Sequence, residues 1–197
     1  MAWNYRSRLN ILLGGNTMAT PKMLEGKNRF LLFRKLSEQG TEDGIKLVFQ
    51  TSHTFAMSRA IDKVVTKDGS INKIGELETE VTIEAIQAKD DPVGDMLRDS
   101  VYDGEELEVW EVTYDEDLKN EEGKYPAVYA QGNLENWEWT ADAEDDATIS
   151  STFFVNLKPQ FGYTALPEGI EEAVQYAFKE VLRAAEASGQ STQGQED

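Results

Sequence analysis

The segment from Glu76 to Ile86, ELETEVTIEAI, decides how this chain folds. Its even positions are acids or threonine from Glu76 to Glu84, and its odd positions are mostly apolar from Leu77 to Ala85. Side chains of a strand point alternately to its two faces. The pattern therefore predicts a strand with one packed apolar face and one carboxylate ladder that faces water.

Strand-like segments lie on both sides of this ladder. Val, Ile, Thr and aromatic residues between turn signals predict strands over 29–36, 45–57, 105–114, 125–131, 134–140 and 148–157. The segment 61–75, interrupted by Asp68-Gly69, is interpreted as a long excursion. Residues 105–114 are apolar on both faces, which indicates either a bulge or a strand that is covered on both sides.

Two helices are predicted. Asp91-Pro92 begins the first, which ends at Asp103-Gly104. An apolar stripe predicts the second over about 168–187, followed by a polar tail at 188–197 that is expected to be disordered. Strands that follow one another without regular helical crossovers predict a mainly β fold, an antiparallel sandwich or barrel with one flanking and one C-terminal helix.

The N-terminal segment suggests a later start of translation. Gly14-Gly15 can be encoded as GGAGGT, a ribosome-binding sequence a few bases before the codon for Met18. We therefore expect residues 1–17 to be leader or a flexible arm of a bacterial or phage gene product. A single domain over 18–187 and the tail over 188–197 complete the predicted organisation.

Composition excludes several classes of function. The chain has 19 Lys+Arg and 37 Asp+Glu, so its formal net charge is −18. So acidic a surface does not favour binding to a phosphate backbone. The absence of Cys excludes thiolate metal sites and disulfides, and a single His, His53, excludes multi-His sites.

No catalytic constellation is found in the sequence. Neither acidic loop, at 115–120 or 142–147, has the glycine of an EF-hand loop, and phosphate loops and nucleophile elbows are absent. We therefore expect that the protein is not an enzyme and binds no cofactor. No apolar run in the sequence is long enough to span a membrane. Trp137 and Trp139, on one face of a predicted strand, leave a sugar platform open, although a core or interface stripe is the commoner origin.

Several strings, in order, resemble the phage major tail proteins, the tail tube subunits of long, non-contractile-tailed phages of Gram-positive bacteria. They span about residues 19–187 and are Glu25-Gly26-Lys27, TKDGSI at 66–71, GELETEV at 75–81, AKDDP at 88–92, LEVWE at 107–111, YPAVYAQG at 125–132, ISSTF at 149–153 and QFGYTAL at 160–166.

The resemblance implies a tail tube fold assembled as homo-hexameric rings that stack into a tube, through which phage DNA passes without specific binding. It also implies a virion protein, made in the host cytoplasm, that meets tail terminator, tape measure and distal tail proteins. It brings no catalytic residue and no cofactor. A tube subunit of a phage-like bacteriocin or secretion device, and a carbohydrate-binding β-sandwich module, remain alternatives.

Two sets of residues are assigned to this function as hypotheses. Acid on the wall of the lumen would repel phosphates, and the candidates are Glu76, Glu78, Glu80 and Glu84. Residues 1–60 carry 9 bases and 4 acids, a net of +5, and are complementary to an acidic neighbour. The candidate contacts between rings lie in the arm at 19–36 and in the excursion at 58–75: Lys27, Arg29, Lys63, Lys67 and Asp68.

Overall fold

The structure, a computed structural model, describes residues 22–167, 169 and 170. The predictions for residues 1–17, for the tail and for nearly all of the C-terminal helix therefore lie outside the described residues. Within them the fold is mainly antiparallel β with one flanking α-helix, as the sequence predicts. The strands are β1 (Arg29–Lys35), β2 (Ile45–Lys46), β3 (Gln50–Thr66), β4 (Gly69–Ile86), β5 (Leu107–Thr113), β6 (Tyr125–Leu134), β7 (Glu138–Thr140), β8 (Thr148–Val155) and β9 (Gln160–Thr164), and the helix is α1 (Pro92–Asp103).

All nine strands belong to one hydrogen-bonded sheet. Its order is β2-β1-β5-β6-β8-β4-β3, with β7 paired to β8 and β9 paired to β6. The main core contains residues from β1, β4, β5, β6, β8 and α1, including Leu31, Val81, Val109 and Phe153, none of them measurably exposed. Because residues from distant strands meet in one cluster, the sheet folds over on itself around this core.

The predicted alternation in β4 is confirmed. Thr79, Val81, Ile83 and Ala85 are buried, whereas the even positions between them are exposed. The periodicity was sufficient for this prediction because a half-buried strand shows its two faces directly in its sequence.

The interpretation of residues 61–75 as an excursion is wrong. β3 and β4 continue as a paired hairpin to Thr66 and Gly69, and we call residues 60–75 the hairpin arm. A bulge between Arg59 and Ile61 marks its base. There a Cβ on Gly75 would lie 3.2 Å from the carbonyl oxygen of Ala60, so the close approach of the two strands favours glycine.

The predicted strand at 45–57 is interrupted. β2 ends at Lys46, Leu47 is buried, and Phe49 has a φ of 50° before β3 begins. The carbonyl oxygen of Phe49 accepts a hydrogen bond from Ile86 N at 3.0 Å, which fixes this corner on the end of β4. One continuous strand cannot both bury Leu47 and make this turn.

The helix α1 begins and ends where its caps predict. The Asp91 side chain accepts a hydrogen bond from Val93 N, and Gly104 is left-handed with a φ of 70°. Val93 and Leu97 are fully buried in the core. The helix therefore covers one side of the main core at the end of β4.

The strand β5 is covered on both faces, and its pairing with β1 and β6 runs without a register shift. One face contributes Leu107 and Val109 to the main core. The other contributes Val112 to a second cluster with Phe30 and Leu32, against which Leu166 and Ile170 pack. Of the two alternatives left open by the sequence, coverage on both faces is the correct one.

The predicted strand at 134–140 is also wrong. Leu134 ends β6, and only residues 138–140 form β7. The Asn136 side chain accepts a hydrogen bond from Thr152 N at 2.8 Å, and its carbonyl oxygen accepts one from Ser151 Oγ at 2.6 Å. These side-chain contacts replace the regular ladder at this point, and sequence periodicity does not show them.

Candidate assembly surface

The outward face of β3, β4, β8 and β7 is a mostly polar surface that also exposes Phe154. Cross-strand pairs share a face, and Glu84 pairs with Ser52 on one side and with Ser150 on the other, while Ser150 pairs with Glu138. Further rows join Thr82 to Thr54 and Thr152, and Glu80 to Ala56 and Phe154. We call this surface the acidic face.

The charged side chains of the acidic face are all carboxylates. The predicted residues Glu78, Glu80 and Glu84 all lie on it and are exposed. Ser52 Oγ donates a hydrogen bond to Glu84 Oε2 at 2.7 Å, so that this carboxylate is held against the sheet. Among the described residues in these rows, from Ser52 to Ser58 on β3 and across to β7, there is no Lys or Arg.

Two details of the acidic face differ from a simple ladder. Glu76 lies at the bulge beside Gly75, at the margin of the face, because the register shifts between Arg59 and Ile61. Glu138 on β7 lies in the same row as Glu84 and was missed from the sequence. The two acids, 54 positions apart in sequence, share a row only because each pairs with Ser150 of β8, and no local pattern indicates this.

The hairpin arm carries the predicted contact residues Lys63, Lys67 and Asp68, and all three are exposed. Lys63 pairs across the arm with Asn72, and Lys67 and Asp68 form its turn. The arm also exposes apolar side chains: Ile61, Val65, Ile71 and Ile74 are each more than half exposed.

The other two predicted contact residues lie elsewhere, beside a cleft of about 920 Å³ that Lys27 and Arg29 line together with Phe55 and Met57 of β3. Lys27 Nζ lies 2.7 Å from Glu25 Oε2. The structure thus separates the predicted contacts into two sets, one on the hairpin arm and one at the cleft. The first part of β3, residues 50–57, lines the cleft with Lys27 and Arg29, whereas the arm does not.

A buried carboxylate, Glu111 of β5, closes this cleft. His53 Nε2 lies 3.0 Å from Glu111 Oε1, and Arg29 Nη1 lies 3.8 Å from the same oxygen. The hydrogen bond with His53 and the charge of Arg29 hold the pKa of the Glu111 carboxyl below its usual value, against the opposing effect of burial. The only histidine of the chain is therefore a structural partner of a carboxylate.

A second buried carboxylate, Glu108, lies on the opposite face of β5 with no measurable exposure. Arg34 Nε donates to Glu108 Oε2 at 2.7 Å, and Gln39 Nε2 and the Tyr129 hydroxyl donate to Oε1 at 3.0 and 2.6 Å. Burial and this hydrogen bond raise the pKa of Tyr129. The network joins β1, β5, β6 and the loop after β1, and it was not predicted because a sequence does not show which acids are buried.

The sugar platform on one strand face, which the sequence left open for the two tryptophans, is not formed. Trp137 precedes β7 and packs partly against the main core, whereas Trp139 on β7 is 63% exposed. Both line an open groove beside α1, with Arg98 shared between its two adjoining parts of about 680 and 350 Å³. We call it the α1–β7 groove.

The part of the chain that the structure describes contains no helix both long and apolar enough to cross a membrane. Nor do its described residues contain a group of three or more His, Cys, Asp or Glu placed to hold a metal ion. The described residues thus form an antiparallel sheet with an acidic face, a projecting hairpin arm and exposed apolar side chains. These features are typical of a structural β protein that contacts other chains.

Comparison with known proteins identifies the family. Residues 23–161 match the family model of the phage tail tube protein. A tail protein of Staphylococcus phage phiMR25 is 30% identical over 172 residues, which are 85% of this chain and 88% of that relative. The chain belongs to the phage tail tube protein family, and its role is that of a structural tube subunit of the virion.

Solved structures agree on the fold. The SPP1 tail tube, determined by solid-state NMR and cryo-EM, has a TM-score of 0.64 and 16% identity, over 78% of this chain and 86% of that one. The tail of an empty gene transfer agent particle, refined with helical and C6 symmetry, has a TM-score of 0.54 and 14% identity, over 73% of this chain and all of that one. The tail tube fold expected from the resemblance is thereby confirmed.

Proposed function

We propose that this chain assembles as homo-hexameric rings that stack into the tail tube, with the acidic face of β3, β4, β8 and β7 lining the lumen through which DNA passes. The observation that carries the proposal is the composition of that face: Glu78, Glu80, Glu84 and Glu138 lie among mostly hydroxylic residues and the exposed Phe154, with no Lys or Arg in the described rows.

The negative charge of the acidic face accounts for its proposed role as the wall of a DNA channel. A carboxylate repels a phosphate over a Debye length of about 8–10 Å at physiological salt. Several acids per subunit, repeated around a ring, keep a narrow channel negative along its whole wall. DNA binding depends on Lys and Arg that displace counterions from the backbone. A wall without them lets DNA slide without adhering.

The topology supports assembly by edges. β3 ends the sheet order, so one of its edges has no strand partner among the described residues. Long unpaired edges favour association with another chain. A heterologous contact repeated by rotation closes into a ring, and the tail of the gene transfer agent particle, which shares the fold, was refined with C6 symmetry.

The predicted contacts keep their assignment in this proposal. Lys63, Lys67 and Asp68 project on the hairpin arm, whereas Lys27 and Arg29 lie at the cleft beneath it. Both sets are proposed to meet neighbouring rings, whose overall charge is acidic. Tail terminator, tape measure and distal tail proteins are the proposed partners at the ends and inside the tube, and synthesis takes place in the host cytoplasm.

The proposed function includes no catalysis and no cofactor. A tube subunit of a phage-like bacteriocin or secretion device would share the fold, and the genes beside this one separate the two, since capsid genes accompany a phage. The carbohydrate-binding alternative was based on two tryptophans on one strand face, whereas Trp137 precedes β7 and packs partly against the core.

Negative-stain electron microscopy of the full chain at rising concentration tests assembly. The proposal predicts hollow rings or tubes with six-fold symmetry. Particles that stay monodisperse and monomeric at every concentration, and also when tails of the same phage are added as nuclei, contradict it.

A further inference from the structure

The cleft beside Lys27 and Arg29 has a second end, at which Lys46 is a half-buried cation without an anion. Lys46 ends β2 and lines the cleft, and its Nζ lies 4.7 Å from the centre of the Phe30 ring. Burial lowers the pKa of this ammonium, and no carboxylate among the described residues opposes that effect. A desolvated charge without a partner is costly, so a carboxylate from another chain would stabilise Lys46.

Aromatic side chains line the cleft near Lys46. Phe49 is 66% exposed and Phe161 is 70% exposed, and both line the cleft. Large exposed aromatic side chains around a concave surface are typical of protein contacts. This part of the cleft therefore offers a cation and two aromatic rings to a partner.

One segment of the chain carries the complementary groups. Trp139 of β7 is 63% exposed. The β7–β8 loop that follows it, residues 141–147, exposes four acids: Asp142, Glu144, Asp145 and Asp146. No Lys or Arg occurs from residue 125 to residue 157. An exposed aromatic ring followed at once by carboxylates matches the cation and the rings of the cleft.

We propose that residues 139–146 of one copy of this chain dock at the Lys46 end of the cleft of a neighbouring copy in the same ring. A carboxylate of the β7–β8 loop then lies on Lys46, and Trp139 packs against Phe49. The inference rests on the proposed function, which it deepens by naming the two halves of one contact within a ring.

Strand pairing places the two halves at the same level of the sheet. Thr140 and Thr148, which flank the loop, pair with each other, and Thr148 also pairs with Ile86 of β4. Ile86 N donates a hydrogen bond to the carbonyl oxygen of Phe49 at 3.0 Å. Lys46 lies three residues before Phe49. The loop and the Lys46 end of the cleft therefore lie at the same end of these four strands.

The two halves lie on opposite margins of the sheet. β3 and β7 are the outer strands of the order β3-β4-β8-β7, and each has one edge without a strand partner among the described residues. At about 4.8 Å per strand they are about 14 Å apart, and the loop of the single chain is exposed rather than seated in its own cleft. Two different margins at one level form a heterologous contact, which closes into a ring when it is repeated by rotation.

The other charged residues of the cleft are already engaged. Glu111 is the one acid among the described residues that line it, and His53 and Arg29 lie 3.0 and 3.8 Å from its carboxylate. Arg29 precedes Leu32, the β1 partner of Lys46, by three residues, which is about 10 Å along the strand. The set at the other end of the cleft therefore keeps its proposed assignment to a neighbouring ring.

Two bases lie close to the loop without cancelling its charge. Lys89 and Arg98 line the α1–β7 groove beside it, together with four acids: Asp90, Asp91, Asp95 and Asp99. Arg98 is bound to Asp95 and Asp99 at 2.7 and 2.8 Å. With the four acids of the loop, this half of the contact remains strongly negative.

Carbodiimide cross-linking tests the contact, because it joins an amine to a carboxylate only where the two groups touch. Unlabelled and nitrogen-15-labelled full-length chains are mixed, assembled and cross-linked, and mass spectrometry identifies the linked peptides. A link between differently labelled peptides is a contact between copies. The pair of Lys22 and Asp117, 2.7 Å apart, is the control for a link within one chain.

The inference predicts mixed-label links from residues 142–146 to Lys46, which are lost in Lys46→Gln. Tubes in which the loop acids are linked only to other lysines, or are not linked between chains, overturn the inference and leave the proposed function standing. A wild type that forms neither rings nor tubes overturns the proposed function and the inference with it.

Charge reversal gives an independent readout. Asp145→Lys with Asp146→Lys should lower the assembled fraction, measured by sedimentation, at least about tenfold, because like charges that face each other across a contact are strongly disfavoured. The matched control is Glu121→Lys with Glu122→Lys, at exposed acids of the loop between β5 and β6. Circular dichroism verifies that each variant is folded. Equal assembled fractions for the two variants overturn the inference.

Discussion

His53 on β3 and Glu111 on β5 are in contact, with 3.0 Å between Nε2 and Oε1, although three strands separate β3 from β5 in the sheet. Their contact joins the two halves of the folded sheet above the cleft at the base of the hairpin arm. The pair therefore connects the strand that bears the arm to the centre of the subunit.

Removal of this link destabilises the fold. His53→Ala removes the hydrogen bond between His53 and the buried Glu111 carboxylate, and we expect a loss of about 1–3 kcal/mol in the free energy of unfolding. Urea denaturation measures it. Ser52→Ala, which removes an exposed hydrogen bond one residue away, is the control and is expected to change stability by less than about 0.5 kcal/mol.

The same pair gives a pH dependence of known sign. The folded state lowers the pKa of Glu111 from its usual 4.5. Its stabilising effect is therefore present above about pH 4.5 and is lost as the pH falls through the lowered pKa. Urea titrations from pH 7 to pH 3 should show the wild type losing more stability than Glu111→Gln. Parallel pH profiles would contradict this assignment.

The network of Glu108 predicts a larger effect. Glu108→Ala leaves Arg34, whose side chain is only 14% exposed, without its carboxylate, and removal of one partner of a buried pair costs about 3–5 kcal/mol. Thermal and urea denaturation measure the loss. Glu122→Ala, at an exposed ion pair with Lys124, is the control and should be nearly neutral. A cost below about 1 kcal/mol for Glu108→Ala would show that the network is dispensable.

Two glycines in strands form a matched pair. A Cβ on Gly132 would overlap the carbonyl oxygen of Phe154, where β6 leaves β5 to pair with β8, whereas nothing lies within 4 Å of a Cβ on Gly162 in β9. We expect Gly132→Ala to cost at least about 3 kcal/mol, since the clash is with backbone, and Gly162→Ala to be neutral or stabilising by about 0.4–1 kcal/mol. Equal melting temperatures for the two variants would contradict the close approach.

The sequence predicted what local patterns control. The alternation from Leu77 to Ala85 gave β4 and its acidic face, and Asp91, Pro92 and Gly104 gave the ends of α1. Long-range pairing controls the rest. Glu138 joins the acidic face only through β8, β6 changes partner at Gly132, and Asn136 interrupts the ladder before β7. The hairpin arm escaped prediction because its apolar residues lie on both faces, so that it lacks the two-residue period of a half-buried strand.

Charge reversal tests the acidic face. Tubes with Glu78→Lys, Glu80→Lys and Glu84→Lys should retain DNA that resists nuclease, because lysine in a lumen binds phosphate. The control reverses three acids in exposed loops, Glu42, Asp43 and Glu121, and makes the same change in net charge. Absorbance of the nuclease-treated tubes at 260 nm measures the retained DNA. Equal retention by both variants would count against a lumen position.

A cryo-EM map of the assembled tube decides whether the acidic face lines the lumen. We expect Glu78, Glu80 and Glu84 to line the channel, with Glu138 of the same subunit in the row beside them. A map that places these carboxylates on the outer surface or between subunits would contradict it.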